Sequence, residues 1–350
     1  MNTETSSTAT QRADFYARLA PHDMAPLWEV LKSLVPPQPQ AHAKAHQWRY
    51  ADVRPLLLES GALLSAEEAE RRVLVLENPA YVGQTKATAS LYAGIQLVLP
   101  GEIAPAHRHT PSALRFVMEG QGGFTAVDGE RTTMRPGDFI TTPAWAWHDH
   151  GNDGDGPVAW LDGLDIPTLQ FYEAIFMQPG NAKRQSVTRP EGDSQARFGE
   201  GLLPLGAERR FGLTSPVFNY PYDRTREALH KSARGMDPDP HHAVSLRYSN
   251  PLDGGWALPT MSTWMMHVPA GYSTASVRST DSMVMTVAEG GCAVTVGESV
   301  FELAKNDVLS VPGWTWRSVA ASEDCNLFVF SDRVVHEKLG FFREELGLVR

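Results

Sequence analysis

The chain has 350 residues, 42% hydrophobic, 21% charged and 9% aromatic, which suits soluble globular domains and excludes collagen, coiled coil and wholesale disorder. With 31 Lys and Arg against 41 Asp and Glu the formal charge is −10, so neither a nucleic-acid face, which needs excess cations, nor an anionic membrane is an expected partner. No run of about 18 apolar residues occurs, no apolar signal core opens the chain, and two cysteines without a CxxC fit a reducing, cytoplasmic setting.

The first ten residues, rich in Ser and Thr, read as disordered. Residues 11–34 read as helical, with Phe15, Leu19, Leu27, Leu31 and Leu34 on an interrupted 3.6-residue period, a break at Pro21 and a stop at the prolines of 35–40. Ser65 followed by Glu68 is a capping box that predicts a second helix running on through Arg71, Arg72 and Leu74. From Tyr81 short alternating runs are punctuated by Gly, Pro, Asp and Asn, the grammar of an all-β sandwich or barrel. Strands are predicted at 90–99, 114–118, 123–127, 132–134, 139–142 and 158–164. A return toward helix follows at 165–176. Residues 177–242 form a Gly-, Pro- and charge-rich connector with one helix at 223–234, and β grammar resumes near Val244. The domain expectation is an N-terminal helical arm (1–80), a first β module (81–176), the connector (177–243) and a second β module (244–350).

The second β region repeats the first. Glu119 and Gly120 match Glu289 and Gly290 at an offset of 170, while Asp138, Pro143, Trp145 and Trp147 match Asp307, Pro312, Trp314 and Trp316 at 169. Two copies of one module are therefore present.

In the first copy His107 and His109 stand two apart on a strand, so both imidazoles face one side. His148, beyond the Pro143 turn, supplies a third. Imidazole suits Fe, Zn, Cu and Ni, and three ligands leave positions open. In the second copy these positions are Val277, Ser279 and Arg317, so the metal site is expected in the first module alone. His241 and His242, in a Pro- and Asp-rich loop, read as surface histidines.

Neighbouring residues indicate what such a pocket would hold. His150 lies two beyond His148 and points into the same cavity, as a general acid or base, a hydrogen-bond donor to substrate, a fourth ligand, or a packed core histidine. Arg115 opens an apolar strand, where its guanidinium fork suits a substrate carboxylate unless it sits at the rim. Asp162 shares a strand face with Val158 and Trp160 and needs a donor such as a substrate hydroxyl or an arginine. On the strand near 91–99, Ala93, Ile95, Leu97 and Leu99 form an apolar face, and Tyr92, Gly94, Gln96 and Val98 a mixed one. An aromatic ring against Gly94, hydrogen-bonded by Gln96, fits that face, though Gly94 equally marks a bulge.

Gly101-x5-His107-x-His109 and Gly137-x5-Pro143-x4-His148 resemble the two halves of the cupin motif. The family pattern carries a Glu three or four residues after the second His; Ala113 and Leu114 stand here, which argues against the oxalate-cleaving, germin-like branch. The longer strings 106–120, 136–152, 160–167 and 247–255 resemble the bicupin ring-cleaving dioxygenases, the gentisate 1,2-dioxygenase family, from about Ala25 to the C-terminus. The resemblance implies a mainly β bicupin of two jelly-roll (double-stranded β-helix) barrels with an N-terminal helical region. It also implies Fe(II) on His107, His109 and His148, with gentisate as a small aromatic carboxylate substrate and dioxygen as co-substrate. The ring would open between the carboxyl-bearing and adjacent hydroxyl-bearing carbons to give maleylpyruvate. Arg115 would orient the carboxylate, and His150 and Asp162 would serve the remaining hydroxyl and the developing oxygen charge. Gln96, Gly94 and Tyr92 would flank the ring, and Arg71 or Arg72 would lend a second cation. A homo-oligomer, commonly a tetramer, is implied as well. The readings weighed beside it are a salicylate or 1-hydroxy-2-naphthoate 1,2-dioxygenase and, from another class, a non-catalytic bicupin ligand-binding protein. A zinc isomerase of sugar phosphates would want more basic pocket residues than Arg115.

Overall fold

The structure, a computed structural model, describes residues 3–206 and 213–349. It divides into two compact units, Met1–Gln40 and Ala41–Arg350. In the smaller, a helix runs over Thr3–Leu19 and a second over Leu27–Leu34. The break at Pro21 is there, but of the ten residues expected to be disordered, those from Thr3 on are helical, in a stretch without Pro or Gly, and the first two lie outside the described residues. Trp28 Nε1 donates to Tyr16 Oη (2.8 Å), which donates to Glu29 (2.6 Å), tying the two helices together.

The larger unit holds two barrels, each made of a six-stranded and a five-stranded sheet. In the first barrel the large sheet orders Asn219–Tyr220, Phe139–Thr142, Ala113–Glu119, Val158–Leu164, Tyr92–Val98 and Val73–Val75. The small one orders Met177–Pro179, Ile103–His109, His148–Asn152, Gly123–Val127 and Glu130–Thr133. The helix expected to run from Ser65 through Leu74 stops after Ala66–Ala69. Glu70 takes a positive φ of 48°, which ends the helix, and the β-branched Val73 and Val75 pair with Gln96 and Gly94 instead. A helix not expected from the sequence, Tyr50–Leu63, precedes it, whereas the helix expected at 223–234 is present as Tyr222–Gly235.

The repeat is longer than its sequence signal. His46–Trp48 and the helix after it recur as Asn219–Tyr220 and Tyr222–Gly235, yet each copy lies on the other barrel. Trp48 pairs with Val308 and Gln47 with Leu309 in the second barrel; Tyr220 pairs with Phe139 and Asn219 with Ile140 in the first. The matching aspartates close these straps: Asp307 accepts from Tyr50 N (2.7 Å), and Asp138 from Tyr222 N (2.9 Å). Arg54 clasps Glu119 on the first barrel, and Arg226 clasps Glu289 on the second, each at under 3 Å. Residues assigned from sequence to the arm and to the connector thus complete sheets in both barrels.

The two large sheets face each other across one apolar core that includes Ile95, Leu97, Phe116, Phe139, Phe328 and Phe330. Phe116 stacks on Phe328 at 4.6 Å. A second reciprocal pair clamps this interface. Asp165 accepts from Ser112 N of its own barrel and from Thr260 of the other, and Asp332 from Ser282 N and from Ser90 in the same way.

The buried strap aspartates should matter to stability, because removing such an acceptor strands backbone donors at about 1–3 kcal/mol. Asp307→Ala and Asp138→Ala are each expected to lower the chemical-denaturation free energy by about that amount. Asp307→Ala should leave the first barrel's metal content unchanged, which elemental analysis checks.

Candidate active site

The interior of the first barrel is built by strand alternation. Its floor is apolar: Val98, Val117, Met134, Ile140, Val158 and Trp160 pack together. Above them a pocket of about 210 Å³ is lined by Arg71, Tyr92, Gln96, Arg115, Asp162, His150 and the three histidines of the motif. His107 and His109 end the strand Ile103–His109, and His148 opens His148–Asn152 directly across from His107. The register shifts between Ala104 and His107, a bulge that re-aims the two ligands into the barrel.

His107, His109 and His148 form a group of potential ligand atoms all within 4.8 Å of one another. In each ring Nδ1 faces a backbone carbonyl: Pro105 O at 3.2 Å, Pro111 O at 2.8 Å and Ala146 O at 2.9 Å. In His109 and His148, where the carbonyl is the Nδ1 partner, a proton on Nδ1 leaves the Nε2 lone pair for a metal, whereas His107 Nδ1 faces the Arg71 guanidinium as well as Pro105 O. His148 Nε2 is buried without a hydrogen-bond partner, which a bound cation would resolve. Burial, reinforced by the Arg71 charge, pushes His107 down to about 3; burial brings His109 to about 4 and His148 well below its ordinary value. All three are neutral, the ligating form. The residues present fit a tri-histidine metal site.

Arg115 is fully buried. Its Nη1 donates to Thr142 Oγ1 (2.6 Å) and its Nη2 to His150 Nε2 (2.9 Å), while Nε, 3.6 Å from Asp162, has no hydrogen-bond partner. A guanidinium only donates, so His150 Nε2 accepts. Its Nδ1–H is then given to Thr125 Oγ1 (2.9 Å), whose hydroxyl reaches Asp149 O. Both ring nitrogens are thereby used within the protein. His150 lines the pocket as expected, with Arg115 on one ring nitrogen and Thr125 on the other.

Asp162 takes Trp160 Nε1–H (2.9 Å), and burial, opposed by Arg115, raises it to about 6. Of the two adjacent arginines, Arg71 enters the pocket, donating to Pro105 O and lying against His107 Nδ1. Arg72 turns away to Glu102 and Leu64 O. Burial and the nearby Arg115 charge bring Arg71 down to about 10. Gly94 does not line the pocket and makes no bulge, since it stays in register with Asp162 and Val75. A Cβ there would lie 2.6 Å from Val73 and 2.8 Å from the Tyr92 hydroxyl, so Gly94 clears room for those two side chains. Sequence reading missed Thr125 and Thr142. Thr125 stands directly across from His150, and Thr142 two residues along from Ile140, the partner of Arg115. That pairing across the sheet has no local mark in the sequence.

Residues 94–164, the heart of the first barrel, match the cupin domain model. Over 98% of its length the chain is 48% identical to gentisate 1,2 dioxygenase 1 of Aquipseudomonas alcaligenes, covering 98% of that protein. It belongs to the gentisate 1,2-dioxygenase family. A gentisate 1,2-dioxygenase from a Streptomyces species is 40% identical over 99% of both chains. The crystal structure of the salicylate 1,2-dioxygenase of Pseudoaminobacter salicylatoxidans, as adducts with gentisate, superposes with a TM-score of 0.90 at 34% identity, over 96% of this chain and 94% of that one. Dioxygenases of this family are oxidoreductases that incorporate dioxygen, and the mainly β bicupin expected from the motif is the fold observed.

Replacing any one ligand, as in His107→Ala or His109→Ala, should reduce bound metal from about one ion per chain to below about a tenth. Inductively coupled plasma mass spectrometry on the folded variant measures this, and retained stoichiometric metal would refute the assignment.

Proposed function

We propose that the protein is an Fe(II)-dependent dioxygenase that opens gentisate between the carbon bearing the carboxylate and the adjacent hydroxyl-bearing carbon, yielding maleylpyruvate. The observation that carries this reading is one small pocket shared by three neutral imidazoles, the buried Arg115 guanidinium and the half-buried Arg71. Such a site favours a chelating aromatic anion over a neutral one. His107, His109 and His148 would hold the iron, which when bound supplies the redox chemistry between a chelating phenol and dioxygen. Arg115, its two Nη groups fixed by Thr142 and His150, offers Nε to the substrate carboxylate. Arg71 adds the second positive charge. Asp162 accepts from the ring hydroxyl that does not reach the metal, and Gln96 and Tyr92 flank the ring. Gentisate is preferred to salicylate because identity to the gentisate enzyme is the higher, 48% against 34%.

The protein is further proposed to act as a cytoplasmic homo-oligomer, a tetramer by family likeness. Cys292 and Cys325 are buried free thiols, which suits a reducing compartment. No described helix is long and apolar enough to cross a membrane. Trp28, Leu31 and Leu34 expose apolar surface on one helix of the N-terminal unit, as an assembly contact would.

Oxygen uptake by the iron-reconstituted protein tests the reaction. Uptake with gentisate well above that with salicylate or 1-hydroxy-2-naphthoate is expected. Preference for salicylate would overturn the substrate, and no uptake with intact iron would favour a ligand-binding protein. A second measurement separates the roles of His150. If it orients Arg115, His150→Ala and Arg115→Lys should both raise KM for gentisate by about tenfold or more, roughly 1.4 kcal/mol of lost binding, with the smaller change in kcat. A fall in kcat at constant KM would return His150 to acid–base work.

A further inference from the structure

The second barrel retains an interior, and its chemistry differs from that of the first. By strand register Gln96, Arg115, Thr125, Thr142, His150 and Asp162 correspond to Met266, Met285, Val294, Val311, Val319 and Val329, all in one apolar cluster. At the His148 position a charged side chain is kept. Arg317 stands in place of His148, paired across the sheet with Val277 as His148 is with His107. It is 8% exposed, donates Nη2 to Ser279 Oγ (3.1 Å), and has no ion pair with any described carboxylate. It borders a cavity of about 350 Å³, larger than the 210 Å³ of the histidine pocket and within the usual range for small-molecule sites.

The remaining charges around this cavity are largely accounted for. Arg333 pairs with Glu337 at 2.7 Å and lies 3.7 Å from Glu344; Arg247 caps Gly254 O at the rim; His241 bonds Gly347 O, and His242 faces Glu344. Asp281 accepts from Ser331 on one oxygen, and its other oxygen is buried with no partner. Arg317, whose charge Asp281 and Glu344 stabilise from beyond ion-pair distance, and an Asp281 oxygen without a donor thus share one chamber whose apolar wall is Met266, Met283, Met285, Trp256 and Trp264. A carboxylate would satisfy the first and a hydroxyl the second, and a flat ring would fill the sulfur- and indole-lined space between.

We propose that the second barrel binds a small hydroxylated aromatic carboxylate on Arg317, at a site separate from the three-histidine pocket. This assignment stands whether or not the proposed ring cleavage is correct. The test is to soak crystals of the full-length, metal-loaded protein with 3-bromo-5-hydroxybenzoate, which lacks the adjacent hydroxyl needed to chelate. Expected is an anomalous bromine peak beside Arg317 that disappears in Arg317→Met at the same soaking concentration, while bound metal and thermal midpoint are unchanged. Methionine matches the chamber's own lining; should that variant not fold, Arg317→Gln serves with the same expected loss. No bromine in the second barrel, or an undiminished peak in the folded variant, would overturn the proposal.

Discussion

Each strand of the two large sheets has one face committed before any site is built. Alternate residues must fill the apolar layer between the barrels, so chemistry is confined to the opposite face, inside each barrel. The strand Tyr92–Val98 shows the constraint plainly. Ala93, Ile95 and Leu97 belong to the shared core, while Val98 joins the barrel floor and Tyr92 and Gln96 face the pocket. A slip of one residue would exchange these sets. The histidine site therefore depends on the packing of Phe116 against Phe328 as much as on its own carbonyl partners.

That same alternation is why much of the pocket was legible from the sequence. His107 and His109 at i and i+2, Arg115 in an apolar strand and Asp162 beside Trp160 all announce an inward face by parity. What parity lacks is the partner across the sheet. The roles of Thr125 and Thr142 follow from register, as does the engagement of both nitrogens of His150, and register is a long-range property. Arg71 could not be separated from Arg72 because the choice turns on the backbone reversal at Glu70. The straps were illegible for another reason: two or three residues of strand carry no local mark of which sheet they will join.

The two barrels also show how a polar site is given up. Buried polar groups are tolerable only when each has its partner. Once metal ligands are gone, an orphaned Arg, His or Asp becomes costly, and the whole network tends to go together. The second barrel fits that account at six positions, where methionine and valine replace the network. Arg317 is the residue that does not follow.

The straps have a consequence for ancestry. Each barrel is completed by a strand and helix that precede the other barrel in the chain, and the aspartate and arginine clasps recur on both sides. Two copies of a single-barrel protein, exchanging their N-terminal arms, would make the same contacts as a homodimer. Fusing them end to end would preserve every one of those contacts while freeing the halves to differ. The chain has the contacts of a swapped dimer held on one backbone, an arrangement in which one half can keep a task while the other changes.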